Sequence, residues 1–76
     1  MSPSDYQRVV DDIAAKIEAG TLRKGDRLPS IVQLAAEYET SRTTVKTALL
    51  ILGQRKLTEG HQGKATFVIG EPTAAS

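Results

Sequence analysis

The residue types best suited to chemistry lie between positions 41 and 64. Ser41-Arg42-Thr43-Thr44-Val45-Lys46 combines three hydroxyls with two cations spaced four apart. At the start of a helix, free backbone amides together with Ser and Thr hydroxyls are good partners for phosphate oxygens. Arg42 and Lys46 project together at that spacing. Arginine is also the side chain that pairs in bidentate fashion with guanine, and a threonine methyl can meet the methyl of thymine. A second polar group, His61, Gln62 and Lys64 around Gly63, would present polar and cationic side chains where the backbone can approach a partner closely. Groups of that kind on a loop tip contact flanking phosphates or enter a minor groove. Each segment has a plainer reading, as a solvated helix start and a solvated hairpin. A lone histidine on a loop is usually only hydrated, whereas Lys64 reads as a phosphate contact.

These residues need elements to position them. Tyr6, Val9, Val10, Ile13, Ala14 and Ile17 form one apolar stripe at helical period, with Ser2-Pro3-Ser4-Asp5 as its N-terminal signal and Gly20 as its stop. Lys24-Gly25-Asp26 marks a turn, and Arg27-Leu28 a very short strand. Ser30 and Gln33 form a capping box at the entry to a second helix, with Ile31, Leu34, Ala35 and Tyr38 on its apolar face. Glu39-Thr40 breaks that pattern. Ser41 caps a third helix whose inner face is Val45, Ala48, Leu49 and Leu52. Two short helices separated by about three residues have the spacing of a helix-turn-helix. Beyond Lys56 the period changes: Leu57-Thr58-Glu59 and Thr66-Phe67-Val68-Ile69 read as strands joined by a hairpin loop over 60–65. The expected fold is α+β, mainly α: a winged helix-turn-helix of three helices with a small antiparallel sheet and a C-terminal hairpin. Residues 1–70 form that domain, and 71–76 a flexible tail or the start of a linker.

Composition narrows the choice further. A chain of 76 residues buries only roughly 60% of its unfolded surface, which leaves little room for a catalytic cleft or a second domain. No cysteine means neither a disulfide framework nor a thiolate metal site, one histidine cannot make a metal site alone, and no cofactor motif is present, so neither a metal nor a cofactor is expected. An enzyme is effectively excluded. Nothing approaches the roughly 18 apolar residues of a membrane span, and no signal peptide is legible, so a cytoplasmic protein is the default. The net charge of +1 conceals a segregation: residues 1–40 carry five basic and seven acidic side chains, while residues 41–64 carry five basic residues against Glu59 alone. The +4 therefore falls on the third helix and the hairpin, the two segments with phosphate-binding chemistry. Asp11-Asp12 reads as a solvated face. Asparagine is absent, so bidentate adenine recognition is left to Gln33 or Gln62. RNA is disfavoured because Tyr6, Tyr38 and Phe67 all suit core positions, leaving no exposed aromatic pair for stacking.

The segments Gly-Asp-Arg-Leu-Pro-Ser (25–30), Leu34-Ala35, Ser41-Arg42-Thr43-Thr44-Val45, Ala48-Leu49, Leu52, Leu57 and Gly63-x-x-Thr66-Phe67-Val68 together resemble the N-terminal DNA-binding domain of GntR-type bacterial transcription regulators. The resemblance runs from about Tyr6 to Val68. It implies a winged helix-turn-helix that binds a palindromic double-stranded DNA operator as a homodimer, usually to repress. It also implies that Arg42, Thr43, Thr44, Lys46 and Gly63 meet DNA. In such proteins an effector binds a separate C-terminal domain, and these residues include none. Three departures stand out: Val32 where the family often has arginine, Lys56 at the glycine that usually ends the third helix, and Ala65 at a wing glycine.

The resulting expectation is sequence-specific DNA binding with the third helix in the major groove, through Ser41, Arg42, Thr43, Thr44 and Lys46. The wing, through His61, Gln62, Gly63 and Lys64, would lie on the flanking backbone or in the minor groove. The competing class is a winged helix module for protein–protein interaction. Leu50 and Ile51 widen the apolar face of the third helix, and Leu50 is the expected contact for a second subunit or another protein.

Overall fold

The computed structural model describes residues 5–61 and 65–70. Three helices, α1 (Asp5–Glu18), α2 (Ile31–Glu37) and α3 (Arg42–Gln54), precede two strands, β1 (Thr58–His61) and β2 (Ala65–Val68). The apolar stripe of α1 goes inward as its period requires: Val9, Val10, Ile13 and Ile17 are buried. They meet Ala48 and Leu52 of α3, Leu28 of the connecting segment and Val68 of β2 in one cluster. A second cluster, Leu34 and Ala35 of α2 with Val45 of α3, holds the two short helices together, and Tyr38 and Leu49 touch both clusters. Burying a side chain such as Ile13 or Leu52 contributes about 1.5–3 kcal/mol. The Ser2–Ser4 part of the α1 start signal lies outside the described residues.

The polar half of α1 is less passive than its sequence suggests. Asp12 does not merely face solvent. Its carboxylate accepts from the Tyr38 hydroxyl and pairs with Lys16 at 3.3 Å. The Arg8 guanidinium donates to the Tyr38 carbonyl at 2.8 Å, and the Thr40 hydroxyl to Asp5 at 3.3 Å. Asp11, by contrast, is exposed and accepts only from Gln7, one turn back, among the described residues. Tyr6 also departs from its expected core position. It is 39% exposed, because the cluster closes over Val9 and Val10 and leaves the first turn at the edge.

Both helices of the helix-turn-helix are capped as their sequences indicate. The Ser30 hydroxyl accepts from the Gln33 amide at 3.1 Å, and Gln33 Oε1 accepts from the Ser30 amide at 3.0 Å. Ser41 Oγ accepts from the Thr44 amide at 3.1 Å. The C-terminal ends share one design. In α2, Thr40 N–H returns to the Ala35 carbonyl and Glu39 N–H to Ala36, with Glu39 at φ +53. In α3, Leu57 N–H returns to Leu52 and Lys56 N–H to Gly53, with Lys56 at φ +62. These are Schellman motifs with a non-glycine residue in the left-handed position, a placement that costs roughly 1–2 kcal/mol.

The second motif explains why the hairpin differs from expectation. Leu57 is used to close α3, so β1 begins at Thr58. Thr58 then pairs with Val68 and His61 with Ala65, which makes Gly60, His61 and Ala65 strand residues where a loop was expected. Ile69 lies past the strand, but its amide still reaches the Leu57 carbonyl at 3.0 Å. The expected strand at Arg27-Leu28 is a single bridge from Arg27 to Phe67, flanked by Leu28 N–H to the Thr66 carbonyl and Val68 N–H to the Asp26 carbonyl, both at 2.8 Å. Among the described residues no helix is long and apolar enough to cross a membrane.

Candidate nucleic-acid interface

The first turn of α3 divides its polar groups into two kinds. Val45, Ala48 and Leu52 are buried, which turns Arg42, Thr43 and Lys46 outward, and all three are exposed. Among the described residues neither cation forms an ion pair; the pairs Asp5–Arg8 and Asp12–Lys16 belong to α1. Ser41 and Thr44 are occupied differently. Ser41 Oγ caps the helix and lies 2.9 Å from Thr44 Oγ1, and Thr44 is half-buried. The sequence-level set thus separates into three outward residues and a capping pair that holds their turn in place. Thr43 adds a further constraint, since its carbonyl accepts from the Thr47 hydroxyl at 3.1 Å.

Gln33 and Ser30, the expected entry to the motif, are both exposed and bonded to each other through the capping box. The Gln33 amide oxygen is committed there, which leaves its NH2 group available. Of the wing residues, Gln62, Gly63 and Lys64 lie outside the described residues, and for His61 only the backbone position in β1 is described.

Two exposed apolar side chains, Val32 (59% exposed) and Leu50 (63% exposed), accompany these polar groups. Val32 stands on the first turn of α2, where periodicity predicted only that it would not face the core. Leu50 lies one turn beyond Lys46 and lines a groove of about 440 Å³ between α3 and the hairpin. Its exposure was legible from the helical period, but the groove was not, because the opposite wall comes from β1 and β2. No group of His, Cys, Asp and Glu that could hold a metal occurs among the described residues.

A helix-turn-helix braced by α1, with a hairpin packed behind its second helix and an outward cationic face, is a winged helix-turn-helix domain. The chain belongs to the GntR family: the model of the bacterial regulatory proteins of that family matches residues 5–68. It is 38% identical over 63 residues to the mannosyl-D-glycerate transport/metabolism system repressor MngR of Escherichia coli (strain K12), covering 83% of this chain and 26% of that protein. It is 39% identical over 71 residues to the histidine utilization repressor of Klebsiella aerogenes, covering 93% of this chain and 29% of the relative. The chain therefore spans less than a third of the length of these two relatives. Among solved structures, the DNA-binding domain of AraR in complex with operator ORR3 superposes with a TM-score of 0.85 at 26% identity, covering 90% of this chain and 82% of the other. The winged helix expectation and the family resemblance are thus borne out.

Proposed function

We propose that residues 1–70 form the DNA-reading domain of a bacterial transcription regulator, which binds double-stranded operator DNA sequence-specifically and represses. The observation that carries this reading is the outward face of α3: Arg42, Thr43 and Lys46 exposed on a capped first turn, with the opposite face locked into the core. That turn enters the major groove, with Arg42 as the base reader and Lys46 on a phosphate. The hairpin follows the flanking backbone or the adjoining minor groove through His61, Gln62, Gly63 and Lys64. The repressor names of the relatives and the operator complex of AraR support the reading.

So few cationic contacts give a single domain modest affinity, because phosphate neutralisation dominates binding to DNA. Two copies on a palindrome would raise it by linking two half-sites, so we place a homodimer on the operator. Such a regulator works in the cytoplasm, without catalysis of its own, and any effector would act through another domain. Selection from a random duplex pool tests this directly. An enriched palindrome is the expected result, and a pool that stays random after several rounds overturns the assignment. The exposed Leu50 is the observation that favours protein–protein interaction instead. Insensitivity of the domain's binding partners to salt, with no shift of generic duplex DNA, would support that second reading.

A further inference from the structure

The groove behind α3 has a composition that the reading surface does not explain. Lys46 stands at one end, Leu50 forms the α3 wall, and Gly53, Gly60 and Thr66 keep the rest low and open. A side chain at Gly60 would begin 3.9 Å from Thr66 Oγ1, and one at Gly53 would begin 3.7 Å from the Thr58 carbonyl, so both glycines leave space that is not otherwise filled. Lys46 and Leu50 are four residues apart, on one side of α3 and about 6 Å apart along its axis. The groove is thus continuous with the outward face of Arg42, Thr43 and Lys46. Among the described residues, its α3 wall is apolar at Leu49, Leu50 and Gly53 and polar at Gln54, and Lys46 supplies the cation where the groove joins that face.

In a duplex, a single sugar–phosphate strand separates each major groove from the adjoining minor groove. If α3 enters one groove and the hairpin follows the next, the strand between them must cross the space between α3 and the hairpin. Resting on the function proposed above, we propose that this groove seats that strand, with Leu50 packed against deoxyribose carbons while Lys46 holds the neighbouring phosphate. The chemistry suits the occupant: a DNA strand alternates an apolar sugar with an anionic phosphate, and Leu50 and Lys46 alternate in the same order. Leu50 therefore adds affinity by excluding water, without adding charge and without reading a base.

Fluorescence anisotropy with the parent, Leu50→Ala, Leu50→Gln and Lys46→Ala chains tests this, on a selected duplex and on random duplex across a salt series. Thermal melts confirm folding, which the exposure of Leu50 favours. Both Leu50 variants are expected to bind about three- to tenfold more weakly on either duplex, with an unchanged salt slope. Lys46→Ala is expected to reduce the slope by about one. Leu50 variants that bind like the parent overturn the seat. So does a loss seen only on duplexes with two half-sites, which assigns Leu50 to contact between copies. A loss confined to one base position overturns it as well, by making Leu50 a base reader. A parent that binds no duplex overturns the functional reading itself and the seat with it, an outcome distinct from the other three.

Discussion

Tyr38, at the C-terminal end of α2, donates its hydroxyl hydrogen to the Asp12 carboxylate on α1. Lys16 completes the arrangement: its ammonium pairs with Asp12 at 3.3 Å and sits 6.0 Å from the centre of the Tyr38 ring. With Arg8 on the Tyr38 carbonyl, α1 holds the turn of the helix-turn-helix through polar contacts as well as through the core. The orientation of α3 depends on that turn, so the acidic N-terminal helix contributes to presenting the cationic one.

Tyr38→Phe removes the hydroxyl and should destabilise the domain by about 1–2 kcal/mol, the range for a hydrogen bond to a charged group that is partly solvated. The pH dependence has a definite sign. The Tyr38 hydrogen bond, aided by Lys16, holds the Asp12 carboxyl below its ordinary 3.8. Its contribution is present above about pH 4 and disappears as pH falls through the lower folded value. Burial first, and then the Asp12 carboxylate, raise the Tyr38 hydroxyl above its ordinary 10.0. That contribution is present below about pH 10 and fades at higher pH. Thermal melts across pH should show both losses in the parent. Phenylalanine should abolish the alkaline loss and shrink the acid one, and unchanged limbs would count against the coupling.

Lys56 adopts φ +62 at the end of α3, a conformation that glycine reaches without its Cβ clashing. Lys56→Gly should stabilise the fold by about 0.5–1 kcal/mol, once the added freedom of the unfolded chain offsets part of the relief. Lys56→Ala, which keeps the Cβ, should not. Urea midpoints for the pair distinguish relief of backbone strain from loss of a charge.

Gly70 makes the opposite case. A methyl there would land 2.7 Å from Leu57 Cδ2 and 3.0 Å from Leu57 Cα, against the residue that closes α3 and accepts the amides of Ile69 and Gly70. Gly70→Ala should therefore destabilise by about 1–3 kcal/mol, as overpacking does. A melting temperature equal to that of the parent would show that the segment shifts freely.

For DNA, Arg42→Ala should cost about 1–3 kcal/mol on the selected duplex and relax one position of the site. Competition binding against single-base variants reads this out. Equal losses on specific and random duplex would make Arg42 a phosphate contact.

Much of this domain is local, and local features can be read from the chain. The stripe from Val9 to Ile17 sets the inner face of α1 by period alone, and the two caps are local pairs, Ser30 with Gln33 and Ser41 with Thr44. Exposure of Arg42, Thr43 and Lys46 follows from the same periodicity, and the concentration of positive charge over residues 41–64 from a count of charged residues along the chain. Tertiary structure decided what depends on partners distant in sequence. Asp12 meets Tyr38 across 26 residues, and Arg8 reaches its carbonyl across 30; nothing local to Asp11-Asp12 tells which carboxylate turns inward. The hairpin register moved because Leu57 was needed to close α3, and Arg27 joined the sheet only because Phe67 was brought beside it. Leu50 was legible as exposed, yet its groove exists only because the hairpin folds back against α3. Periodicity assigns a residue to a face, whereas the packing of remote segments decides what that face meets.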